Sequence, residues 1–153
     1  MEDFDGVDDE FLGQHMHAMD TKGRLVLPAE HRALLEGGKI VMTLGFDGSV
    51  DVHPIEEWQN IRASIAKMQR GDIAQRRMAR AIYANASKQV LDKQGRISIP
   101  AKLRELCGLT KEVAVVGMGD HIEIWDADRW DAEDDASRET YVNTEQSLGI
   151  GMF

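Results

Sequence analysis

Cysteine is almost absent from this chain of 153 residues, and long apolar runs are missing altogether. The single cysteine, Cys107, excludes an intrachain disulfide and leaves no cysteine cluster for zinc. No apolar run approaches the roughly 20 residues that are needed to span a bilayer. The acidic start, MEDFDGVDDEF, lacks the basic and apolar parts of a signal peptide. We therefore expect a cytoplasmic protein without a membrane partner.

Motifs for catalysis are also missing. The chain has no glycine loop of the kind that holds phosphates, no paired carboxylate motif and no activated serine or cysteine. His15 and His17 would share one face of a strand, a geometry that can hold a metal, but no third ligand stands nearby in the sequence. The sequence therefore predicts no enzyme, no cofactor, no small-molecule substrate and no metal site.

Basic residues are scarce at the two ends of the chain. Residues 1–20 carry seven acids and no base, and residues 126–153 carry eight acids and two bases. Residues 21–125 hold 12 acids and 16 bases, so a body of net charge +4 lies between two acidic ends in a chain of net charge −9. Because salt screens exposed charges beyond roughly 8–10 Å, local charge decides what a surface binds. The overall acidity therefore does not exclude a nucleic-acid partner.

A repeat with an offset of 72 residues organises the basic body. Residues 20–58 align with residues 92–130 without a gap, and 11 of the 39 pairs are identical. The identical pairs include the aspartate, glycine, arginine and proline of DTKGRLVLP and DKQGRISIP. Two copies are too few for a solenoid. We predict instead two halves related by a pseudo-two-fold axis that share one core.

Each copy predicts the same order of elements: strand, turn, strand, short helix, hairpin and longer helix. Asp20 and Gly23 occupy the first and fourth places of a type I turn, placed at the shoulder of a hairpin. Pro28 suits the first position of a helix of about two turns. Asp47-Gly48 marks the turn of a further hairpin. The class is therefore α+β, with the strands in a small barrel or sandwich.

The segment between the copies predicts two helices. Ile61, Ile65 and Met68 recur at the spacing of one apolar helix face. Asp72 is a good N-cap for the second helix. The apolar residues expected to pack from that second helix are Ala74, Met78, Ala81 and Ile82.

Other paired positions predict packing. Trp58 and Trp130 stand where a strand ends and a helix begins, which suits packing anchors. Cys107 aligns with Leu35 and is interpreted as a core residue. Arg32 and Arg104, on the two short helices, are expected to be solvated or to bridge to neighbours.

These motifs resemble those of the MraZ family of bacterial regulators. The resemblance rests on DTKGRLVLP, DKQGRISIP, GFDGSVDVHPIEEW, GMGDHIEIWDADRW and FLGQHMHAMD, in that family's order, and covers about residues 11–131. It implies an α+β double AbrB-like (swapped-hairpin) β-barrel from two in-chain pseudo-two-fold repeats with flanking helices. It also implies sequence-specific binding of double-stranded DNA, ring-shaped homo-oligomers, association with the nucleoid, and regulation of the promoter of the division and cell-wall gene cluster. The expected domains are an acidic extension (1–10), a first repeat (11–58), connecting helices (59–82), a second repeat (83–130) and an acidic tail (131–153).

The candidate DNA-binding residues lie in the two repeated loops: Lys22, Gly23, Arg24, Lys93 and Arg96. An outward arginine there can contact phosphate oxygens or the O6 and N7 atoms of guanine. Gln94 stands where the first copy has Lys22, so the two loops are not equivalent, and the resemblance implies that the first makes the main contact. The turn geometry alone also explains the aspartate and glycine. Arg24 and Arg96 either reach outward or pair with the preceding aspartate.

Two other functions stay open at this point. An AbrB-like antitoxin also binds DNA, but such proteins usually carry one copy of the repeat and dimerise, so the duplication argues against it. An oligomeric scaffold would contact protein partners through the acidic ends and ignore DNA. The sequence pI of about 5.0 favours the scaffold, whereas the basic middle and the two loops favour DNA.

Overall fold

Short strands and helices alternate along the chain in the order predicted for each copy. The computed structural model describes residues 10–68 and 71–148, so most of the acidic extension and the last residues of the tail lie outside the described residues. The described strands are β1 (Gln14–Ala18), β2 (Arg24–Val26), β3 (Lys39–Leu44), β4 (Val50–Pro54), β5 (Ser87–Val90), β6 (Arg96–Ser98), β7 (Glu112–Gly117) and β8 (Ile122–Asp126). The described helices are α1 (Ala29–Arg32), a 3-10 turn (Glu36–Gly38), α2 (Ile55–Ala66), α3 (Ile73–Ala84), α4 (Ala101–Leu106) and α5 (Ala127–Leu148).

All strand pairs are antiparallel. Six strands form one sheet in the order β1-β7-β8-β4-β3-β5, and β2 pairs with β6 in a separate two-stranded ribbon. The hairpins β3–β4 and β7–β8 form where the sequence predicts them. The α+β class is therefore confirmed, and the closed AbrB-like barrel stays a prediction.

The two repeats exchange their first strands. β1 of the first repeat pairs with β7 of the second, and β5 of the second pairs with β3 of the first. The predicted turn forms, since the Gly23 N–H donates to the Asp20 carbonyl at 3.0 Å. The prediction of a hairpin around this turn was wrong, because β1 and β2 join other partners on either side of it. Each half thus completes its sheet only with strands of the other half.

The pairing register places repeat-equivalent residues opposite each other. Leu25 lies opposite Ile97 in the ribbon, and these positions differ by the repeat offset of 72. Asp51 lies opposite Glu123 between β4 and β8 with the same offset. A pseudo-two-fold axis therefore passes through both pairs.

The core is apolar and drawn from both repeats. Leu25 and Leu27 pack in the same buried cluster as Ile97 and Ile99. Cys107 also belongs to this cluster, which confirms its predicted place in the core, and burial raises the pKa of its thiol. Full burial of a leucine or isoleucine side chain stabilises a fold by about 1.5–3 kcal/mol. Sharing the cluster therefore links the stability of one repeat to that of the other.

The two predicted tryptophan anchors are confirmed. Trp58 at the start of α2 is buried and meets Tyr83 edge to face at a centroid distance of 5.9 Å. Trp130 on α5 is buried against Trp125, at 5.8 Å between ring centroids. Aromatic pairs of this geometry add about 0.5–1.5 kcal/mol beyond their area burial. Trp58 therefore joins α2 to α3, and Trp130 joins α5 to β8.

The short helix of the first repeat differs from its prediction. Pro28 precedes the first helical residue, with ψ of 140°, so it caps the helix and does not begin it. α1 has a single turn, ended by the 3-10 turn, where two turns were predicted. Gly37 and Gly38 both adopt positive φ there, a backbone that L side chains rarely take.

The connecting helices form as predicted, but the second packs less. The Asp72 side chain caps α3 by accepting a hydrogen bond from the Ala74 N–H at 2.8 Å. Met78 and Ile82 are half-buried, whereas Ala74 and Ala81 are exposed. The predicted packing of all four residues was therefore wrong for the two alanines.

The longer helix predicted after the second hairpin forms as α5 and continues through the acidic tail. α5 begins at Ala127 and continues to Leu148. Acidic side chains at Asp134 and Asp135 pair with Arg138 within one turn, which suits an exposed helix surface. Of the helices described, α5 included, none combines the length and apolarity needed to cross a membrane.

Candidate nucleic-acid interface

The aspartate of each repeated loop organises the loop around itself. We call residues 20–24 the first loop and residues 92–96 the second. Asp20 Oδ1 accepts hydrogen bonds from the backbone N–H groups of Lys22 (2.9 Å) and Arg24 (2.8 Å). Asp92 Oδ1 accepts the equivalent bonds from Gln94 and Arg96, both at 2.9 Å. The two loops therefore share one backbone geometry despite their different sequences.

Each loop arginine also pairs with its aspartate. Arg24 Nε donates to Asp20 Oδ2 at 2.6 Å, and Arg96 Nε donates to Asp92 Oδ2 at 2.7 Å. The backbone N–H of the arginine and then its side chain hold the pKa of each aspartate below its usual range. The terminal Nη atoms of both arginines have no hydrogen-bond partner among residues 10–68 and 71–148. The arginine thus pairs with the aspartate through Nε and keeps its outer edge for another ligand.

The glycine of each loop lies under an arginine of the other repeat. A Cβ added to Gly23, whose φ is 80°, would lie 2.7 Å from both Arg104 Nε and the Ile99 carbonyl oxygen. A Cβ added to Gly95 would collide with the Arg32 side chain. The arginines of the two short helices therefore cover the loop glycines of the opposite repeat, while Arg104 Nε donates to the Ile99 carbonyl of its own repeat at 3.1 Å. A Cβ at Gly23 would meet backbone as well as the arginine, whereas one at Gly95 would meet only the Arg32 side chain, and both glycines have a positive φ that L side chains rarely adopt.

The ribbon presents both loop arginines on one face. Leu25 and Ile97 are buried, so their neighbours along each strand point the other way. Arg24 pairs with Ser98, and Arg96 pairs with Val26, on that outward face. Arg24 therefore lies diagonally across the ribbon from Arg96. Diagonal positions on antiparallel strands lie about 7–8 Å apart. The two arginines thus form one adjacent pair although 72 residues separate them.

The remaining candidate residues divide into exposed and buried ones. Lys22 and Lys93 are exposed in the loop turns, one position apart in the repeat alignment. Gly23 is buried, its N–H donates to Asp20 and its carbonyl accepts from the Ile99 N–H at 2.8 Å. Gly23 therefore shapes the loop, whereas the two lysine side chains are exposed to solvent.

A second polar cluster, which the sequence reading missed, lies between β4 and β8. His121 Nε2 is 3.6 Å from Glu123 Oε2 and 4.0 Å from Asp51 Oδ2. The three side chains line a groove of about 390 Å³ between this sheet region and helices α2 and α3. Asp51 and Glu123 occupy equivalent repeat positions, which was the available signal, but only the pairing of β4 with β8 brings Asp51 to His121 and Glu123.

Burial and hydrogen bonding set the charges of this cluster. Burial raises the pKa of Asp51 to about 6. Burial opposes the charged form of His121, but hydrogen bonds to Glu123 and Asp120 outweigh it and raise its pKa to about 9. Burial lowers the pKa of the neighbouring His53 to about 4. At neutral pH the cluster therefore holds several carboxylates and one imidazolium.

The histidines singled out in the sequence lie elsewhere. His15 and His17 share one face of β1, as predicted, because the strand alternates between half-buried and exposed residues. The His15 ring packs against His31 at a centroid distance of 5.3 Å, and its Nε2 lies 2.7 Å from Glu30 Oε1. His31 and His53 are buried.

Comparison with known proteins identifies the family. The family model described as "MraZ protein, putative antitoxin-like" matches twice, over residues 11–81 and 82–147. The chain belongs to the MraZ family. The two matches meet between residues 81 and 82, within α3, and each contains one copy of the repeat.

Individual MraZ relatives agree over nearly the whole chain. The transcriptional regulator MraZ of Lactobacillus johnsonii is 38% identical over 138 residues, covering 90% of this chain and 96% of the relative. Those of Halothermothrix orenii (38% over 131 residues; 86% and 91%) and Acetivibrio thermocellus (35% over 143 residues; 92% and 99%) are similarly related. These MraZ proteins are named as regulators of transcription, which is not a class of enzyme.

Proposed function

We propose that this protein is a sequence-specific transcriptional regulator that binds double-stranded DNA through the ribbon and its two loops. The observation that carries the proposal is the adjacent pair Arg24 and Arg96 on the outward face of the ribbon. The MraZ relatives named as transcriptional regulators support it at the level of the family. Acting on chromosomal DNA would place the protein in the cytoplasm, at the nucleoid.

The ribbon suits the major groove of DNA. That groove is roughly 12 Å wide and admits a two-stranded β-ribbon. An arginine whose Nε is already held by a carboxylate keeps a fixed direction, so less side-chain freedom is lost when its Nη atoms meet a guanine edge or a phosphate. Lys22 and Lys93 beside the ribbon would then contact the DNA backbone.

The two loops carry a local positive charge in an acidic protein. The first loop holds Asp20, Lys22 and Arg24, and the second holds Asp92, Lys93 and Arg96, so each has a net charge of +1. A single such surface neutralises few phosphates, and several subunits acting together would be needed for tight binding. We therefore include in the proposal a ring-shaped homo-oligomer of double AbrB-like barrels that binds short repeated promoter elements, those of the division and cell-wall gene cluster.

A gel shift tests the proposal. The probe is the DNA upstream of the protein's own coding sequence, beside a scrambled duplex of equal length, at several salt concentrations. We expect a shift of the specific probe at lower protein concentration, with a salt slope of about 0.9 per phosphate contacted. Absence of any shift at low salt would favour the scaffold, and equal shifts of both probes would exclude sequence specificity.

A further inference from the structure

The carboxylates of the β4–β8 cluster are each held by one oxygen. Ser49 Oγ donates to Asp51 Oδ1 at 2.8 Å, and Trp125 Nε1 donates to Glu123 Oε1 at 3.1 Å. The other oxygens, Asp51 Oδ2 and Glu123 Oε2, are the ones that face His121. Each carboxylate is therefore fixed through one oxygen, and its other oxygen faces a point that the two residues share.

The histidine of the cluster is oriented in the same way. His121 Nδ1 lies 2.6 Å from Asp120 Oδ1, so Nε2 is the ring nitrogen that faces the two carboxylates. Histidines that bind metal ions almost always use their second ring nitrogen in this manner, because the carboxylate fixes the ring and makes it a better ligand. One ligand atom from each of the three residues lies within 4.8 Å of the other two.

Charge at this point favours a cation. Asp51 and Glu123 lie directly opposite each other on neighbouring strands, an arrangement that is destabilising for like charges. Their side chains are 13% and 15% exposed, so water screens them poorly. With Asp120 included, three carboxyl side chains lie around the single ring of His121.

A buried histidine beside the cluster gives an independent indication of a ligand. His53 is 6% exposed, and its buried Nδ1 has no hydrogen-bond partner among the described residues. Its ring lies 5.0 Å from the His121 ring and lines the same groove. Leaving a buried polar atom unpaired is unfavourable. A metal ion with its bound water in the groove would supply such a partner.

We propose that Asp51, His121 and Glu123 bind one divalent transition-metal ion, with Zn²⁺ as the expected occupant. One imidazole and two carboxylates suit Zn²⁺, whereas Mg²⁺ and Ca²⁺ take oxygen ligands. Asp51 comes from the first repeat, and His121 and Glu123 come from the second. The ion therefore joins the two halves at the pseudo-two-fold axis, far in sequence from the DNA-binding loops.

Calorimetry on the full chain tests the site. Protein treated with EDTA and dialysed is titrated with ZnCl₂, and in parallel with MgCl₂. We expect one Zn²⁺ per chain and at least tenfold weaker binding of Mg²⁺. Asp51→Asn and His121→Gln should each weaken Zn²⁺ binding more than tenfold. Asp120→Asn should weaken it about tenfold, the lower range for residues that orient a ligand.

The matched control is His17→Gln, which removes an imidazole outside the cluster and should bind Zn²⁺ as the wild type does. Thermal unfolding supplies a second readout, since Zn²⁺ should raise the melting temperature of wild type and His17→Gln but not of His121→Gln. Circular dichroism verifies folding, and Glu123→Gln replaces any cluster variant that fails to fold. Lack of saturable binding at one ion per chain, or unchanged binding in the cluster variants, overturns the site.

Discussion

Arg104 of the second repeat covers Gly23 of the first, with its Nε 2.7 Å from the place a Cβ would take. The Ile99 carbonyl oxygen lies equally close, and it is backbone that cannot swing aside. Arg104 Nε also donates to this carbonyl at 3.1 Å. The first loop is therefore built against the second repeat and does not stand alone on the surface.

Gly23→Ala should destabilise the fold. The positive φ costs an alanine about 1–2 kcal/mol, and the overlap adds about 1–3 kcal/mol for overpacking. We expect the free energy of unfolding in urea to fall by about 2–5 kcal/mol. Gly119→Ala is the matched control, because its φ of 79° is the same but no atom lies within 4 Å. Equal losses in both variants would show that backbone strain alone matters.

Arg24→Ala should weaken DNA binding more than Arg96→Ala. Lys22 accompanies Arg24 in the first loop, whereas the second loop has the uncharged Gln94 at the position equivalent to Lys22. A lost guanine contact should cost about 1–3 kcal/mol per site and fall mainly on the specific sequence. A lost phosphate contact should weaken all sequences and lower the salt slope by about one.

Binding by Arg24→Ala is measured by gel shift beside its unfolding temperature. The pair with Asp20 is half-exposed, and such pairs contribute about 0–1 kcal/mol. Folding should therefore survive the substitution. The proposed interface is wrong if Arg24→Ala melts normally and still shifts the specific probe at the wild-type concentration.

Removal of residues 1–10 should leave folding intact. These residues carry six acids and precede the repeat, so their loss should also tighten DNA binding by removing negative charge. Removal of residues 1–11 is the comparison. Phe11 is buried, its ring meets His31, and its backbone exchanges two 2.8 Å hydrogen bonds with Gly119. The longer deletion should cost about 3–5 kcal/mol, as loss of a core phenylalanine does. Equal stability of the two truncations in urea contradicts this.

Acid should loosen the two loops. The pKa of Asp20 and of Asp92 is depressed in the folded protein, so the stability they contribute is present above their unfolded pKa. It is lost as the pH falls through the folded value. The comparison is with the double variant Asp20→Asn/Asp92→Asn. Between pH 5 and pH 3, roughly the range around the pKa of an unperturbed aspartate, the wild type should lose more stability than this variant. If the free energy of unfolding falls equally with pH in the two proteins, these aspartates do not contribute to the acid sensitivity of the fold.

Light scattering should show a species several times the chain mass of 17.1 kDa. Two repeats in one chain form a pseudo-dimer, and head-to-tail contacts between such units can close a ring. Exposed apolar side chains on α3 and α5, including Ile73 and Val142, are available for such contacts. A monomer at micromolar concentration would exclude the ring.

Local elements could be predicted because their signals are short-range. The turn at Asp20 and Gly23 depends on hydrogen bonds within five residues, and the cap at Asp72 on an N–H two residues away. The hairpin at Asp47-Gly48 joins neighbouring strands. The repeat predicted a helix after the second hairpin, but the length of α5 could not be predicted because its residues form no apolar stripe.

The amino-acid sequence by itself determined the repeat, the turns, the capping residues and the two loops that carry the candidate arginines. Only the tertiary structure decided which strands pair. Hydrogen bonds between strands are formed by backbone groups that all residues share, so they do not specify the partner strand. The pairing of β2 with β6 places Arg24 beside Arg96, and the pairing of β4 with β8 places Asp51 beside His121 and Glu123. Both surfaces lie on the pseudo-two-fold axis, where residues 72 positions apart become neighbours only once the two halves share one core.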